Sequence, residues 1–427
     1  MEVVYMESRF HLIIIGALSF FILITGCASS KNVGDLSASL SEGYMPTEEE
    51  IWAEKQANKL HDEFVSKGMI YSKPEIDSYL TRVKNRLLTS DVRVQNAIQI
   101  YVLRSPAANA MALPNGNIYI YSGLFSYLET EDQLAAVLAH EIAHVTERHS
   151  VKSLVDRKNT LVGAHIADLL TGGLGLVYFP AISSLMAYSR EIESEADENG
   201  LKVLQAAEYN PAAMRELLEI FKSLPGAKNR GFSAYSSHPT QDLRIQQINK
   251  QISANKYSKV ESSRPDEFSI SKGSLMKKNV NMRLRSRHYK RALDIIDKTE
   301  KYYTEEGVVS FYRAEAYLGM MKHPEDAAIE KYWIETGKFK KKNKYLTVFL
   351  EDKEKNRNLA EKLYKEAINL DKPYVVAMKR LGEVNKIKNN KALALQWYEK
   401  YLSVSPDAPD RKSVEREIQR LNIIKGQ

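Results

Sequence analysis

The pattern of hydrophobic and polar positions predicts a mostly helical chain with one small β-sheet. Glu48 to Lys67 and Pro74 to Leu88 have the spacing of amphipathic helices. Ala97 to Leu103 and Ile118 to Ser122 alternate or run apolar, with β-branched residues and tyrosines, which is typical of strands. Asp132 to Ala139 contains good helix formers without Gly or Pro. We therefore expect an α+β fold, mostly α.

The C-terminal third has a 34-residue period that is typical of tetratricopeptide repeats. The matched positions are Leu359 with Leu393, Ala360 with Ala394, Tyr364 with Tyr398, and Ile368 with Leu402. A less regular unit runs from Tyr289 through Leu318-Gly319, and the lysine-rich segment Lys338 to Lys344 interrupts the period as an expected solvated loop. We predict a tetratricopeptide-like array over residues 286–427. Helical hairpins without a superhelix are the alternative.

The N-terminus has the pattern of a targeting segment. Leu12 to Ile24 is almost continuously apolar, as long as a signal-peptide core and short for a spanning helix. It is followed by Thr25-Gly26-Cys27, which is similar to the bacterial lipobox, where the cysteine is acylated after cleavage before it. We expect a lipoprotein signal peptide over residues 1–26 and a lipid anchor at Cys27. A signal anchor with a buried thiol is the alternative, and Ala28 favours the outer membrane.

The composition of the remaining segments predicts where the domains begin and end, and the net charge bears on one class of function. Small polar residues predict a tether over 27–46, and Ser, Lys and Arg predict a linker over 256–285, which leaves 47–255 as a first domain. Leu161 to Tyr188 is apolar but contains His165. We therefore expect a pair of helices that covers or gates the functional site of this domain, rather than a membrane span. A net charge of +7 in 427 residues is too modest to predict nucleic-acid binding.

One five-residue motif, His140-Glu141-Ile142-Ala143-His144, has the spacing of a zinc-peptidase site. Residues four apart share a helix face, so His140 and His144 can bind one Zn²⁺ through their imidazoles. Glu141 is rotated by about 100° from His140 and can hold a water molecule as general base. A solvated, charged helix turn is the alternative.

A catalytic zinc site needs a third protein ligand and an open fourth position. Glu193 and Asp197 are four residues apart on a predicted helix, and Glu193 would complete a site of two histidines and one glutamate. Asp197 could accept the second imidazole N–H of a ligand histidine. His149 lies off the ligand face, and we expect a structural role for it.

Four ordered segments resemble the Ste24/HtpX-like family of zinc metallopeptidases. They are Asn109 to Leu124, His140 to His149, Ser189 to Gly200, and Ser237-His238-Pro239 with Arg244-Ile245. The resemblance covers about residues 47–250, and the C-terminal third is more loosely similar to periplasmic members with a tetratricopeptide array. It implies one zinc ion on His140, His144 and Glu193, with Glu141 as base. It also implies a proton-donor role for Asp197, which competes with the outer-shell role.

The same resemblance gives two further residues a role. It places His238 where a histidine can occupy the open zinc position, as a gate, with transition-state stabilisation as the alternative. Arg244 would stabilise an oxyanion or anchor its loop through a carboxylate.

The resemblance implies a zinc endopeptidase, lipid-anchored on the periplasmic side of the outer membrane, that degrades misassembled envelope proteins. The repeat domain would select protein substrates or bind the outer-membrane assembly machinery. The alternative is a tetratricopeptide scaffold or chaperone for outer-membrane assembly with a latent zinc domain.

Overall fold

A computed structural model describes residues 33–89, 91–158, 188–224, 241–255, 265–338, 340–341 and 343–423. The predicted signal peptide, Cys27 and His238 lie outside these residues, as does the predicted helical pair over 161–188, except Tyr188. Within the described ranges, no helix is both long and apolar enough to cross a bilayer.

Nine helices are described in the first region of the chain, up to residue 255. They are α1 Leu36–Ser39, α2 Glu48–Ser66, α3 Pro74–Leu87, α4 Val92–Ala97, α5 Glu131–Thr146, α6 His149–Lys158, α7 Arg190–Ala206, α8 Ala212–Ser223 and α9 Gln241–Asn255. The bounds of α2 and α3 agree with the predicted helices. Thr47 and Glu50 form a capping box at the start of α2, and Pro74 occupies the first turn of α3, where its missing N–H costs nothing.

The sheet has four strands in the order β1-β2-β4-β3. They are β1 Ile70–Tyr71, β2 Gln99–Leu103, β3 Ala110–Ala112 and β4 Asn117–Tyr121. β2 and β4 pair in parallel, and both β1 and β3 are antiparallel to their neighbours. Ile118 and Ile120 pack with the core around α5, whereas Tyr119 and Tyr121 pack with the core around α2. Both faces of β4 are therefore covered, and the predicted strands are confirmed.

The predicted tether over 27–46 is wrong for residues 33–46. Asp35 caps α1, and Val33 packs against Val151. The Tyr44 hydroxyl donates to Glu50 Oε1 at 2.5 Å, and Glu50 also binds the Arg148 guanidinium. These contacts dock the segment on the first region.

The predicted linker over 256–285 is wrong for its second half, because Asp266–Arg285 forms the 20-residue helix α10. Phe268, Leu275, Met276 and Val280 are buried on one side of this helix. Ser271, Lys272, Asn279 and Arg283 are also buried. The pattern of hydrophobic residues did not predict this helix, because polar residues occupy part of its buried face.

The C-terminal third continues as α-helices in the described residues. They are α11 Tyr289–Thr299, α12 Val308–Lys322, α13 Pro324–Thr336, α14 Leu346–Glu351, α15 Lys353–Ile368, α16 Val376–Ile387, α17 Lys391–Val404 and α18 Arg411–Ile423. Helix α12 packs most extensively against α15, not against the next helix in the chain. Helices α13 and α14 are an insert between these partners, and Lys338, Lys340 and Lys341 are exposed in its loop. This insert explains why the 34-residue period is interrupted.

The two regions share one hydrophobic core. A single cluster contains Ile118 and Leu138 of the first region, Phe268 of α10, and Ile296 and Leu381 of the helical array. Helix α10 therefore joins the array to the sheet.

Candidate metal centre

Helix α5 is buried along nearly its whole length, so its His-Glu-x-x-His motif lies in the protein interior. Thr130 caps the helix by accepting a hydrogen bond from the Gln133 backbone N–H. His140, Glu141 and His144 are 1%, 0% and 0% exposed. The alternative of a solvated helix turn is therefore wrong.

Helix α7 brings a carboxylate to the two histidines. Nε2 of His140 lies 3.1 Å from Nε2 of His144. Glu193 Oε2 lies 3.7 Å from the His140 nitrogen, and Glu193 Oε1 lies 3.7 Å from the His144 nitrogen. A tetrahedral metal ion with bonds of about 2.0–2.2 Å holds its ligand atoms about 3.3–3.6 Å apart. The observed separations of 3.1–3.7 Å are close to this range, so the three residues can hold a metal ion, and the cluster is buried throughout.

Gly200 lies where α7 packs against α5 and α8. A Cβ at this position would lie 2.8 Å from Met214 Cε and 3.4 Å from the Ala139 carbonyl oxygen. A larger residue at this position would displace the end of the Met214 side chain on α8, whereas its distance to α5 would be an ordinary van der Waals contact.

His140 is held from behind by a second carboxylate. Its Nδ1 lies 3.0 Å from Asp197 Oδ1. Arg244, on α9, donates from Nε and Nη2 to the two Asp197 oxygens at 2.7 Å each, and its Nη1 lies 2.7 Å from Glu193 Oε2. Arg244 is 2% exposed, so this guanidinium joins α9 to two carboxylates of α7 in the interior.

His144 is held by a different set of groups. Its Nδ1 lies 2.9 Å from Nδ1 of His149, and His149 Nε2 lies 3.3 Å from Glu195 Oε2. The Tyr188 ring stacks on the His144 ring with centroids 4.1 Å apart and planes 15° from parallel. Tyr188 is itself positioned by a 2.6 Å hydrogen bond to Ser150 Oγ.

Comparison with known proteins gives a family match for the first region of the chain. Residues 74–252 match the family model described as Peptidase family M48. The chain carries a peptidase family M48 domain. Its buried His140, His144 and Glu193 cluster can hold the metal that such peptidases use. The predicted metallopeptidase family and the mostly helical α+β fold are therefore confirmed.

Three curated relatives of the M48 domain are named as proteases or peptidases. The chain is 31% identical to the mitochondrial metalloendopeptidase OMA1 of Schizosaccharomyces pombe, over 40% of this chain and 51% of that protein. It is 29% identical to the beta-barrel assembly-enhancing protease of Escherichia coli, over 40% of this chain and 38% of that protein. It is 27% identical to the metalloprotease YcaL of Escherichia coli, over 55% and 94%. The chain spans about half or less of the length of the first two relatives.

The charge on Asp197 distinguishes its two predicted roles in the M48 domain. Burial alone would raise the pKa of this carboxyl, but the Arg244 guanidinium and the His140 ring outweigh burial and hold the pKa below its ordinary value. An ionised carboxylate accepts hydrogen bonds and has no proton to donate. The geometry therefore favours the outer-shell role over the proton donor.

The structure brings five of the predicted site residues together, and it adds three residues whose contacts the sequence analysis did not predict. His140, His144, Glu193, Asp197 and Arg244 form one connected cluster, and Arg244 has the predicted carboxylate contact. The additions are His149, Tyr188 and Glu195, which support His144. Their spacing carries no motif, because Tyr188 and Glu195 lie just before and on α7 and meet His144 and His149 only in the tertiary structure. The sequence-level signal that was available was a histidine five residues after a ligand.

Proposed function

We propose that this chain is a zinc-dependent endopeptidase acting on protein substrates. The single observation that carries this proposal is the buried triad of His140, His144 and Glu193 with Glu141 on the same helix. Two imidazoles and one carboxylate form a known ligand set of catalytic zinc, which leaves a fourth position for water. When bound, zinc would act as a Lewis acid toward the scissile carbonyl and lower the pKa of water.

The residues of the chain would then carry the proton transfers. Glu141 would take the proton of the attacking water and give it to the leaving amine, as a general base and then a general acid. Asp197 would accept the Nδ1–H of His140 and keep Nε2 directed at the metal. Arg244 would keep Asp197 ionised and restrain Glu193.

The edge strand beside the metal centre is the part of the sheet that suits an extended substrate. β3 is the last strand of the sheet, and in the described part of the chain it pairs with β4 alone. The same strand packs against α5, which carries the metal ligands. A peptide would add to β3 by main-chain hydrogen bonds. Such bonds recognise an extended conformation and not a particular sequence. Unfolded or misassembled envelope proteins, including outer-membrane proteins, would suit this mode, and the similarity to the beta-barrel assembly-enhancing protease of Escherichia coli supports this substrate class.

The helical array would present such clients or bind the outer-membrane assembly machinery. Its attachment to the M48 domain supports this role, because α10 contacts the segment that leads into α5. Lys272 of α10 donates to the Leu128 carbonyl, and Asn279 Nδ2 donates to the Ser122 carbonyl at 2.6 Å. A tetratricopeptide-like array joined through buried hydrogen bonds would hold its client in a constant position relative to the site.

A lipid anchor at Cys27 would place the enzyme on the periplasmic side of the outer membrane. The support is the apolar segment and lipobox-like residues of the sequence. Mass spectrometry of the mature wild-type protein should find an acylated N-terminal cysteine, and Cys27→Ser should not be acylated. An unmodified N-terminus in the wild type would contradict the anchor.

The peptidase proposal is tested by cleavage of an unfolded β-rich protein. Wild type should cleave it, and Glu141→Gln should keep zinc but lose about 10²–10⁴-fold in rate, the usual contribution of general acid–base catalysis. Glu198→Gln is a matched control, because this side chain is 52% exposed on α7 and pairs with Lys202. Zinc binding without cleavage by the wild type would favour the scaffold or chaperone.

A further inference from the structure

His149 is the buried titratable group closest to the triad that has no part in the proposed mechanism. Helix α5 ends at Thr146, and Arg148 adopts the left-handed conformation with φ 53°. This conformation is uncommon for residues other than glycine. The Arg148 side chain binds Glu50 and the Tyr44 hydroxyl, and these contacts hold the turn. After this turn His149 begins α6, and its ring lies next to the ring of His144.

The contacts of His149 fix where its protons must lie. If His144 binds a metal through Nε2, which faces Glu193, its neutral ring carries the proton on Nδ1. His149 Nδ1, 2.9 Å away, must then accept that proton as a hydrogen bond. Its own proton is left on Nε2, which donates to Glu195 Oε2 at 3.3 Å. Each assignment follows from the one before.

We propose that His149 is a positioning residue for the metal, which acts through His144 and is itself oriented by Glu195. His149 cannot be a fourth ligand in this arrangement, because its Nδ1 faces the side of His144 that points away from the triad. The stacked Tyr188 ring sets the plane of the His144 ring, and His149 sets its rotation within that plane. This inference rests on the proposed metal site.

The two ligand histidines would therefore have unequal support. His140 donates to a buried carboxylate that Arg244 neutralises, whereas His144 donates to a neutral imidazole. The chain behind His144 ends at Glu195, whose side chain is 51% exposed. Glu195 thus connects a buried metal ligand to the protein surface, and a change at an exposed position should alter metal binding.

The test measures zinc affinity of the full chain by competition with a chelator, together with the visible spectrum of the cobalt-substituted protein. His149→Phe keeps a buried ring but removes the acceptor, and it should weaken zinc binding about 10- to 100-fold, as loss of an outer-shell partner does. The cobalt spectrum should shift, because the direction of a ligand nitrogen changes. His149→Gln, whose side-chain oxygen can accept a hydrogen bond, should recover part of the affinity.

Glu195 provides a second route to the same answer. Glu195→Ala should weaken zinc binding less than His149→Phe, and Glu195→Gln should weaken it less than Glu195→Ala. Glu198→Ala, an exposed change on the same helix, is the matched control and should leave both affinity and spectrum unchanged.

The outcomes separate this inference from the site on which it rests. Zinc affinity of His149→Phe within about threefold of wild type, with the same cobalt spectrum, would overturn the role of His149. If His149→Phe does not fold, unchanged affinity in Glu195→Ala overturns it instead. Wild-type protein that binds no zinc would mean that the proposed metal site itself is wrong.

Discussion

The M48 domain and the helical array differ in the contacts that hold their helices together. The contacts are buried charged and polar pairs around the triad, and glycine–aromatic contacts in the array. Around the triad, α5, α7 and α9 bury charged and polar side chains that satisfy one another, such as Asp197 and Arg244. In the array, close helix contacts depend on missing side chains. Gly319 lies against the Tyr289 ring, and a Cβ at Gly382 would be 2.5 Å from the Tyr398 ring.

This difference indicates which property each region controls. Buried charges are costly to desolvate and often add little net stability, so a cluster of them is explained by what it binds. Glycine–aromatic contacts bind nothing, and they set the distance between helices. Changes at the triad should therefore alter metal binding before stability, and changes in the array should do the reverse.

The largest expected effect is loss of the metal. His140→Ala, His144→Ala and Glu193→Ala each remove one of three protein ligands, so zinc content should fall from one per chain to near zero, and proteolysis should stop. Metal analysis of the purified proteins measures this. Glu191→Ala, an exposed change on the same helix, should keep its zinc. Near-stoichiometric zinc in Glu193→Ala would refute the site.

The array should respond in stability instead. Gly382→Ala forces a methyl group against the buried Tyr398 ring and should cost about 1–3 kcal/mol, the usual cost of overpacking. The midpoint of thermal unfolding should fall, while zinc content stays at the wild-type value. Adding Tyr398→Leu should cost less in Gly382→Ala than in the wild type, since the smaller side chain makes room. Simple additivity of the two changes would contradict the contact.

The join between the regions should also respond in stability. Asn279 donates to the Ser122 carbonyl at 2.6 Å and accepts from Ser122 Oγ at 2.7 Å. Asn279→Leu leaves the Ser122 carbonyl without this bond, while the Ser122 hydroxyl keeps only the Ser105 carbonyl. The change should cost about 1–3 kcal/mol, because buried polar groups need partners. Denaturant unfolding measures it. Ser122→Ala should cost less in the Asn279→Leu background than in wild type, and equal costs would mean that the bond is not made.

The smallest expected effect concerns the docked N-terminal segment. Burial raises the pKa of Glu50, but the Thr47 backbone N–H, Tyr44 and Arg148 outweigh it and lower the pKa below 4.5. A lowered carboxyl pKa stabilises the fold above the ordinary value, and this stability is lost as the pH falls through the folded-state pKa. The difference in unfolding midpoint between wild type and Glu50→Gln should therefore shrink in acid. A constant difference from pH 7 to pH 3 would contradict it.

Local spacing predicted the elements of the fold better than their partners. Helices α2 and α3 and the strands around Tyr119 follow from periods of 3.6 and 2, which depend on a few neighbouring residues. Helix α10 was missed because Lys272 and Asn279 lie on its buried face. A polar residue is buried only where a partner exists, and a pattern of hydrophobicity contains no information on partners.

The sequence by itself determined that His140 and His144 share one face of one helix, because residues four apart on a helix must do so. It also marked Glu193 and Asp197 as a second such pair. Only the tertiary structure decided that His149 returns to His144, that Arg244 joins two carboxylates, and that α12 packs on α15 across an insert. These contacts depend on which faces meet, and that choice is made by the burial of surface from distant parts of the chain.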